Sequence, residues 1–388
     1  MTRPRLAIVL PFVSPAGGGV TEAVRILVAA LVRKNAYDIT VISFESDQDA
    51  AALPDWPTGI AIHRFAFHGP ARFAFSPSMA WHMARHRYDI VHVHGIWMFH
   101  VFAAGVAMAR GAAGIVSPHG MLEPWILARS ARLKSAVSAL FQKWVMRRAR
   151  AIHVLTEKER GDLDGYLPGL PAEIVPNFVP DAVTPDLPAP WAAQVEGREV
   201  WLFLARIHEK KGWPALLDAW DALCVADPDT VQGAALVFCG WIDGDDSFAA
   251  RLAQSAAHHG NVIHAGPQYG ADKLASFARA DVFVLPSMSE GLPMTVLEAV
   301  RQDALIAMSA ACNLPDFFPA AAIDTGTDTQ TILAALQRIR AMPPEARAAM
   351  RAAATARLRQ NYGEEAVMAR YLALYTACQT PSPCDDQP

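Results

Sequence analysis

The sequence predicts an α/β protein built from two Rossmann-like, doubly wound domains facing a central cleft. Three observations lead there. Short apolar runs of parallel-strand type alternate with helical patterns, the series stops at a proline-rich stretch and then starts again, and 388 residues exceed one ordinary core. In chain order, Arg5–Pro11 reads as a strand, Gly17–Gly19 as a loop, Thr21–Lys34 as an amphipathic helix and Asp38–Phe44 as the next strand. Ile90–His94, Gly114–Pro118 and Ala151–Leu155 read as further strands. Pro176, Pro180, Pro185, Pro188 and Pro190 then crowd together in a linker composition. After it, Val200–Arg206, Ala235–Gly240 and Asp281–Pro286 read as strands, with helices over Trp213–Leu223 and Asp272–Arg279. The last helices are expected near Pro344–Tyr362 and Glu364–Ala377. The expected boundaries are a first domain over 1–178, a linker over 179–196, a second domain over 197–362, a terminal helix over 363–380 and a tail over 381–388.

Composition narrows the class. With 52% hydrophobic and 19% charged residues, the chain belongs with well-cored proteins and not with disordered ones. A net charge of −4 gives no global reason to expect nucleic acid. Cys224, Cys239, Cys312, Cys378 and Cys384 are odd in number and lack CxxC spacing, so neither a disulfide framework nor a zinc site is expected. Arg3 and Arg5 before Leu6–Val13 imitate a signal peptide, but Pro11 and the short apolar run favour a first β-strand. No uncharged apolar run reaches the length of a membrane span, and a cytoplasmic protein is expected.

The chemistry concentrates in Phe283-Val-Leu-Pro-Ser-Met-Ser-Glu-Gly-Leu-Pro-Met-Thr-Val-Leu-Glu298. A buried-looking strand runs into a Gly/Pro turn and then a helix, for which Pro293 suits the first position. An anion at that helix start meets backbone donors and the positive end of the dipole. Glu290 and Glu298 flank it, as carboxylates holding sugar hydroxyls would. The segment therefore reads as a site for a phosphorylated sugar, against a plain acidic helix start.

This Glu-x7-Glu segment resembles the signature of the retaining, nucleotide-sugar-dependent GT-B glycosyltransferases of family four. Four other segments share the resemblance, in the family's order: Gly17-Gly-Gly19, His92-Val-His94-Gly-Ile-Trp97, Pro118-His-Gly-Met-Leu-Glu-Pro-Trp125 and Ala205-Arg-Ile-His-Glu-Lys-Lys-Gly212. It covers roughly residues 5–375. The resemblance implies an acceptor domain first, a nucleotide-sugar domain second and a last helix returning to the first. It implies that Arg206 and Lys211 neutralise the departing diphosphate without a metal, and that Glu298 holds the ribose. Glu290 and His119 would bind and polarise the transferred sugar, and Gly18 and Gly19 would lie beside the diphosphate. Gly291, Leu292, Pro293, Met294, Thr295 and Val296 complete the donor set, the amides of Thr295 and Val296 facing phosphate. His94 and Trp97 are expected on the acceptor side, and Asn177 at the hinge, where Phe178 replaces the family's usual glycine. Thr156 and Glu157 match a strand-end polar pair. The His119 segment resembles members that build exopolysaccharide or O-antigen.

Other readings stay open on the residues alone. Asp162–Asp164, Asp227–Asp229 and Asp243–Asp245 are Asp-x-Asp pairs, of which the last is the best-placed metal candidate and reads better as a solvated turn. His92 and His94 share a strand face, with no obvious third ligand. Between residues 126 and 150, Arg129, Arg132, Lys134, Lys143, Arg147, Arg148 and Arg150 interleave with Leu127, Leu133, Val137, Leu140, Phe141, Trp144 and Val145. As one helix this gives an apolar stripe with basic flanks, suited either to an anionic membrane surface or to packing on the first domain. The expected function is transfer of a hexosyl group from a nucleoside-diphosphate sugar to a saccharide or undecaprenyl-type lipid-linked acceptor in cell-surface polysaccharide biosynthesis. A GT-B epimerase, a phosphorylase and a non-catalytic assembly subunit are the alternatives.

Overall fold

The computed structural model describes residues 3–180, 185–244 and 246–379. The chain forms two compact units, one from residues 1–177 together with 364 onward, the other from 178–363.

The first unit holds seven parallel strands: β1 (Arg5–Phe12), β2 (Asp38–Phe44), β3 (Ala61–Phe65), β4 (Ile90–His94), β5 (Ala113–Ser117), β6 (Ala151–Val154) and β7 (Ala172–Ile174). Their order is β3-β2-β1-β4-β5-β6-β7, so the winding reverses between β1 and β4. Such a reversal opens a crevice at the carboxyl ends of the two central strands, where open α/β sheets take their ligands. β1, β4, β5 and β6 are apolar and buried on both faces, as strands covered by helices must be. The helix Glu364–Gln379 joins this unit, burying Tyr371 and Tyr375 beside His92.

The second unit holds β8 (Glu199–Leu204), β9 (Ala234–Cys239), β10 (Val262–Gly266), β11 (Val282–Leu285), β12 (Leu305–Met308) and β13 (Ile323–Asp324). The order β10-β9-β8-β11-β12-β13, again parallel, reverses between β8 and β11. The stretch with linker composition is built into this unit from Ala189 onward: Ala189, Trp191 and Val195 are buried, and Trp191 Nε1 donates to Ser276 Oγ at 3.0 Å. Cys224, Cys239, Cys312 and Cys378 are free and buried, and burial pushes the Cys239 and Cys312 thiols up to about 12. Cys384, Asp245 and the tail lie outside the described residues.

Three expectations change. Gly18 and Gly19 do not form a loop but open the helix Gly18–Lys34, behind a short 3₁₀ turn over Pro15–Gly17. Pro293 is the N-cap, not the first residue, of the helix Met294–Arg301, its extended backbone (ψ 104°) lying outside the helical range. The basic segment is not one helix. It is broken at Ser130, whose φ of 54° is left-handed, and runs as Pro124–Ala128, Ala131–Val137, a π turn over Ser138–Gln142, and Lys143–Arg148. Its apolar residues divide accordingly. Val137, Phe141 and Val145 are buried in the core, whereas Leu133, Leu140 and Trp144 face outward.

That core contact is close. Gly105, on the helix Phe99–Ala109, sits so near the segment that a Cβ there runs into Trp144 and Val145. Gly105→Val should therefore lower the first unit's stability by about 1–3 kcal/mol through overpacking. Thermal unfolding read by tryptophan fluorescence checks this, and an unchanged midpoint would show that the contact is loose.

Candidate active site

In the second unit the order of strands brings the expected donor residues together. β8 and β11 are neighbours at the reversal, so the loops carrying Arg206–Lys211 and Ser287–Glu290 emerge side by side. One carbonyl ties them: Lys210 O accepts from Met288 N at 2.8 Å and from Ser287 Oγ at 3.1 Å. Gly212 makes the approach feasible. Its φ of 78° is left-handed, and a Cβ would fall on the Pro286 carbonyl.

Lys211 Nζ lies 2.6 Å from Glu290 Oε1, with the two side chains only 19% and 10% exposed. The sequence reading gave them separate tasks, on diphosphate and on sugar. In the unliganded protein they neutralise each other. A pair this enclosed gives up its contact only to another well-placed anion. Glu290 is also pinned through its backbone, donating to Ala311 O at 3.0 Å and accepting at its carbonyl from Asn313 Nδ2, which reaches Gly291 O as well, at 3.2 Å.

Arg206 differs. Its Nη1 lies 2.9 Å from Asp243 Oδ2, but both side chains are about two-fifths exposed, 41% and 43%. Such pairs contribute little, at most about 1 kcal/mol, so this contact holds Arg206 only weakly. The same contact gives Asp243 a partner in place of the metal considered for Asp243–Asp245. Among the described residues no group of three or more His, Cys, Asp or Glu is arranged to hold a metal ion.

At the helix Met294–Arg301, Val296 N already donates to Pro293 O at 3.1 Å. Of the expected pair of phosphate-facing amides, Thr295 and Val296, the second thus already has an acceptor within the first turn. Leu292 and Val296 are buried and serve packing. Glu298 meets Lys273 of the helix Gly270–Arg279, with Nζ 2.7 Å from Oε1.

In the first unit Gly18 and Gly19 follow β1 and open a helix, leaving the backbone bare where a side chain would stand. His94, expected on the acceptor side, is 1% exposed and so has no surface to offer an acceptor. It ends β4 inside a cluster with His92, His100, His119 and His153. His119 is partly buried, with φ 53°, and its Nε2 lies 3.0 Å from His94 Nδ1. Trp97 is tied down by two bonds that it donates, from Nε1 to Met121 O at 3.2 Å and from its backbone N–H to Gln142 Oε1 at 3.3 Å, with Tyr166 against its ring. Asn177 is buried as the last residue before the chain enters the second unit. Thr156 is the N-cap of the helix Glu157–Tyr166, and Glu157 is exposed.

Sequence reasoning missed Glu159, Asn313, Lys273, His100 and His153. Glu159 is 2% exposed and accepts from Gly120 N at 2.6 Å and Leu155 N at 2.7 Å. Burial raises its carboxyl above the usual range, and the two amides oppose the rise. The Thr156-x-x-Glu159 spacing of a capping box was the available signal.

Two parallel, doubly wound sheets, with a cation–carboxylate site at the reversal of the second, define a two-domain Rossmann-like α/β protein. The description "Glycosyltransferase Family 4" matches residues 17–183, and "Glycosyl transferases group 1" matches residues 191–357. The chain belongs to the GT-B glycosyltransferases of family four. It is 27% identical over 232 residues to a 2-deoxystreptamine glucosyltransferase of Streptomyces kanamyceticus, covering 55% of this chain and 57% of that one. To a 2-deoxystreptamine N-acetyl-D-glucosaminyltransferase of Streptomyces fradiae it is 29% identical over 233 residues, covering 55% and 53%. The matched part thus spans about half the length of these curated relatives. Among solved structures, Anabaena Alr3699/HepE in complex with UDP and glucose superposes with a TM-score of 0.74 at 14% identity, covering 97% of this chain and 100% of that one, which supports the fold.

Burial predicts a pH dependence. His92, His94, His100 and His153 are at most 1% exposed, and burial lowers each pKa, to about 4 for His100 and His153. Groups with depressed folded pKa values stay neutral in the native state and take up protons on unfolding. Their contribution is whole above pH 6.5, the unfolded value, and is lost as pH falls toward the folded values. Below pH 6.5 each should lower unfolding free energy by about 1.4 kcal/mol per pH unit until it titrates in the fold. Denaturant melts of the first unit's signal between pH 7 and pH 4.5 check this, and a flat profile would contradict neutral burial.

Proposed function

We propose that the protein is a metal-independent, retaining glycosyltransferase that moves a hexosyl group from a nucleoside-diphosphate sugar to a saccharide or lipid-linked saccharide acceptor in cell-surface polysaccharide biosynthesis. What supports this is one arrangement: Lys211 Nζ 2.6 Å from Glu290 Oε1, on two loops tied through Lys210 O, beside the start of the helix Met294–Arg301. A fixed ammonium, an exposed guanidinium and helix-start amides are the donors that a departing diphosphate needs.

Binding of donor lets the diphosphate replace Glu290 as the anion facing Lys211. Glu290 is thereby released to accept hydrogen bonds from hydroxyls of the transferred sugar. Arg206 exchanges Asp243 for a second phosphate oxygen, and its planar fork suits two oxygens at once. Glu298, oriented by Lys273, holds the ribose diol. The diphosphate leaves under this stabilisation and takes the acceptor's proton from the same face, so the anomeric configuration is kept. His119 donates to a sugar hydroxyl, and Asn177 lies at the hinge.

Lys211→Ala and Arg206→Ala should each lower turnover by about 10²–10³, as loss of one transition-state donor does. Glu298→Ala should act mainly on donor KM, since ribose is held alike in ground and transition state. Steady-state kinetics in EDTA, with the product anomer read by proton NMR, test the set. An unchanged kcat in both cation variants would overturn the diphosphate assignment, and loss of activity in EDTA would overturn metal independence. Donor turnover without acceptor would favour an epimerase, and phosphate-dependent cleavage a phosphorylase. The two relatives named for 2-deoxystreptamine make a small aminocyclitol the second acceptor class for the same assay.

The basic segment fits a protein working at the inner face of the plasma membrane. Among the described residues no helix is long and apolar enough to cross a membrane, so contact would be peripheral. Leu133, Leu140 and Trp144 face outward beside Arg132, Lys143 and Arg148, whose guanidinium lies 5.3 Å from the Trp144 ring. Vesicles rich in phosphatidylglycerol should co-sediment the protein at low salt, and Leu140→Glu should release it. Binding indifferent to anionic lipid and to salt would refute an electrostatic contact.

A further inference from the structure

We propose that His94 is a positioning residue that fixes the tautomer of His119, so that His119 presents an Nδ1–H, not a bare nitrogen, to its ligand. This rests on the reading of His119 as a group that touches the transferred sugar. Beside the His94–His119 pair runs a separate hydrogen-bonded chain, which shows how a proton acceptor at one end sets directions among neutral rings. The Val175 carbonyl only accepts, so His153 Nε2, 2.7 Å away, carries a proton. The neutral ring then has a bare Nδ1, which takes the hydroxyl proton of Ser117 at 2.6 Å. Ser117 Oγ in turn accepts from His92 Nε2 at 2.7 Å, and His92 Nδ1 accepts from the Tyr375 hydroxyl at 2.9 Å.

His100 shows what happens to a nitrogen without a partner. Its Nε2 faces the carbonyls of His94 and Gly95 at 3.1 and 3.3 Å and must carry the proton, so its buried, unpartnered Nδ1 is bare. That is the inexpensive arrangement, since a buried N–H without an acceptor costs more than an unused lone pair. His94 has the mirror problem. Its Nε2 is buried and has no partner among the described residues, and its Nδ1 faces His119 Nε2 at 3.0 Å. A bare Nε2 puts the His94 proton on Nδ1, where it donates to His119. The single proton of neutral His119 must then sit on Nδ1, which makes no hydrogen bond to another described residue. Burial, with His153 nearby, lowers the His119 pKa well below 6.5, so the ring is neutral at pH 7.

The backbone is held for the same purpose. His119 and Gly120 are both left-handed, with φ 53° and 74°, and the buried Glu159 carboxylate accepts the Gly120 N–H. Left-handed backbone at a non-glycine residue is strained and persists only where neighbours hold it.

Histidine-selective ¹⁵N labelling of the full chain, with long-range proton–nitrogen correlation at pH 7.5, reads the tautomer directly. The His119 signals are identified by their loss in His119→Asn. The expected result is a protonated Nδ1 and a bare Nε2. His94→Leu should shift His119 toward the Nε2–H form and lower kcat about tenfold with donor KM little changed. His94→Asn, whose amide stands at the Nδ1 position, should keep the tautomer and most of the turnover. A proton on Nε2 in the unsubstituted protein overturns the proposal, as does an unchanged tautomer or an unchanged kcat in His94→Leu. Should His94→Leu fail to fold, the unsubstituted and His94→Asn spectra decide. The spectra need neither donor nor acceptor, so an inactive protein with the Nδ1–H signature would refute the enzymatic reading and leave the tautomer assignment standing.

Discussion

The Lys210 carbonyl is the point on which the second unit's site depends. It has two lone pairs, and both are used on the neighbouring loop, one by the Met288 amide and one by the Ser287 hydroxyl. Because β8 and β11 are adjacent at the winding reversal, these two loops are the ones able to meet. Once they do, Lys211 and Glu290 face each other whatever their rotamers prefer. Gly212 then has no room for a side chain, since its α-carbon is pressed against Pro286 by the same contact. The ion pair is thus a consequence of backbone geometry rather than its cause. That ordering suits a site in which the pair must later open: when Glu290 lets go of Lys211, the loops stay in place.

The two units handle charge in opposite ways. In the second, Arg206, Lys211 and Lys273 each lie against one carboxylate, and are graded by exposure from open to enclosed. Arg206 is the most open of the three and Lys211 the most enclosed. In the first unit, burial strips charge from a whole cluster of histidines, and what remains is hydrogen-bond direction. A cluster of neutral rings cannot attract phosphate and so does not compete with the cations for it.

What the sequence disclosed follows the same physics. Strands buried on both faces announce themselves as apolar runs, and β1, β2, β4, β6, β9 and β11 were legible within a residue or two. β3 alternates without burying a clear face, β7 and β13 are two or three residues long, and no pattern rule separates such strands from loop. Glycines and prolines located the turns but not the helix boundaries at Gly18 and Pro293, because cap geometry depends on which amide finds which carbonyl. The candidate residues of the site were named one by one through the family resemblance. Their pairings were not: Lys273 is 25 positions from Glu298, and Asp243 is 37 from Arg206. Only the sheet order makes such residues neighbours. Glu159 was passed over for Glu157 because one turn of helix decides which of the two points inward.

The basic segment shows how one sequence pattern serves two surfaces. Val137, Phe141 and Val145 recur every four residues and point into the core. Leu133, Leu140 and Trp144 recur at seven and four, a neighbouring stripe on the same winding that no single helix face holds together with the first. The π turn at Ser138–Gln142 widens the angle between the stripes further by adding a residue to the turn. Packing therefore accounts for one stripe and for the inner side of Trp144, which lies against Gly105 and Phe102, and leaves Leu140 in water at 74% exposure. An isolated exposed leucine is ordinary. Here three exposed apolar side chains stand in a stretch that carries arginines and lysines and no acidic residue between 126 and 150. The core contact fixes the segment in place, and the turn then directs the remaining stripe away from the unit it is anchored to.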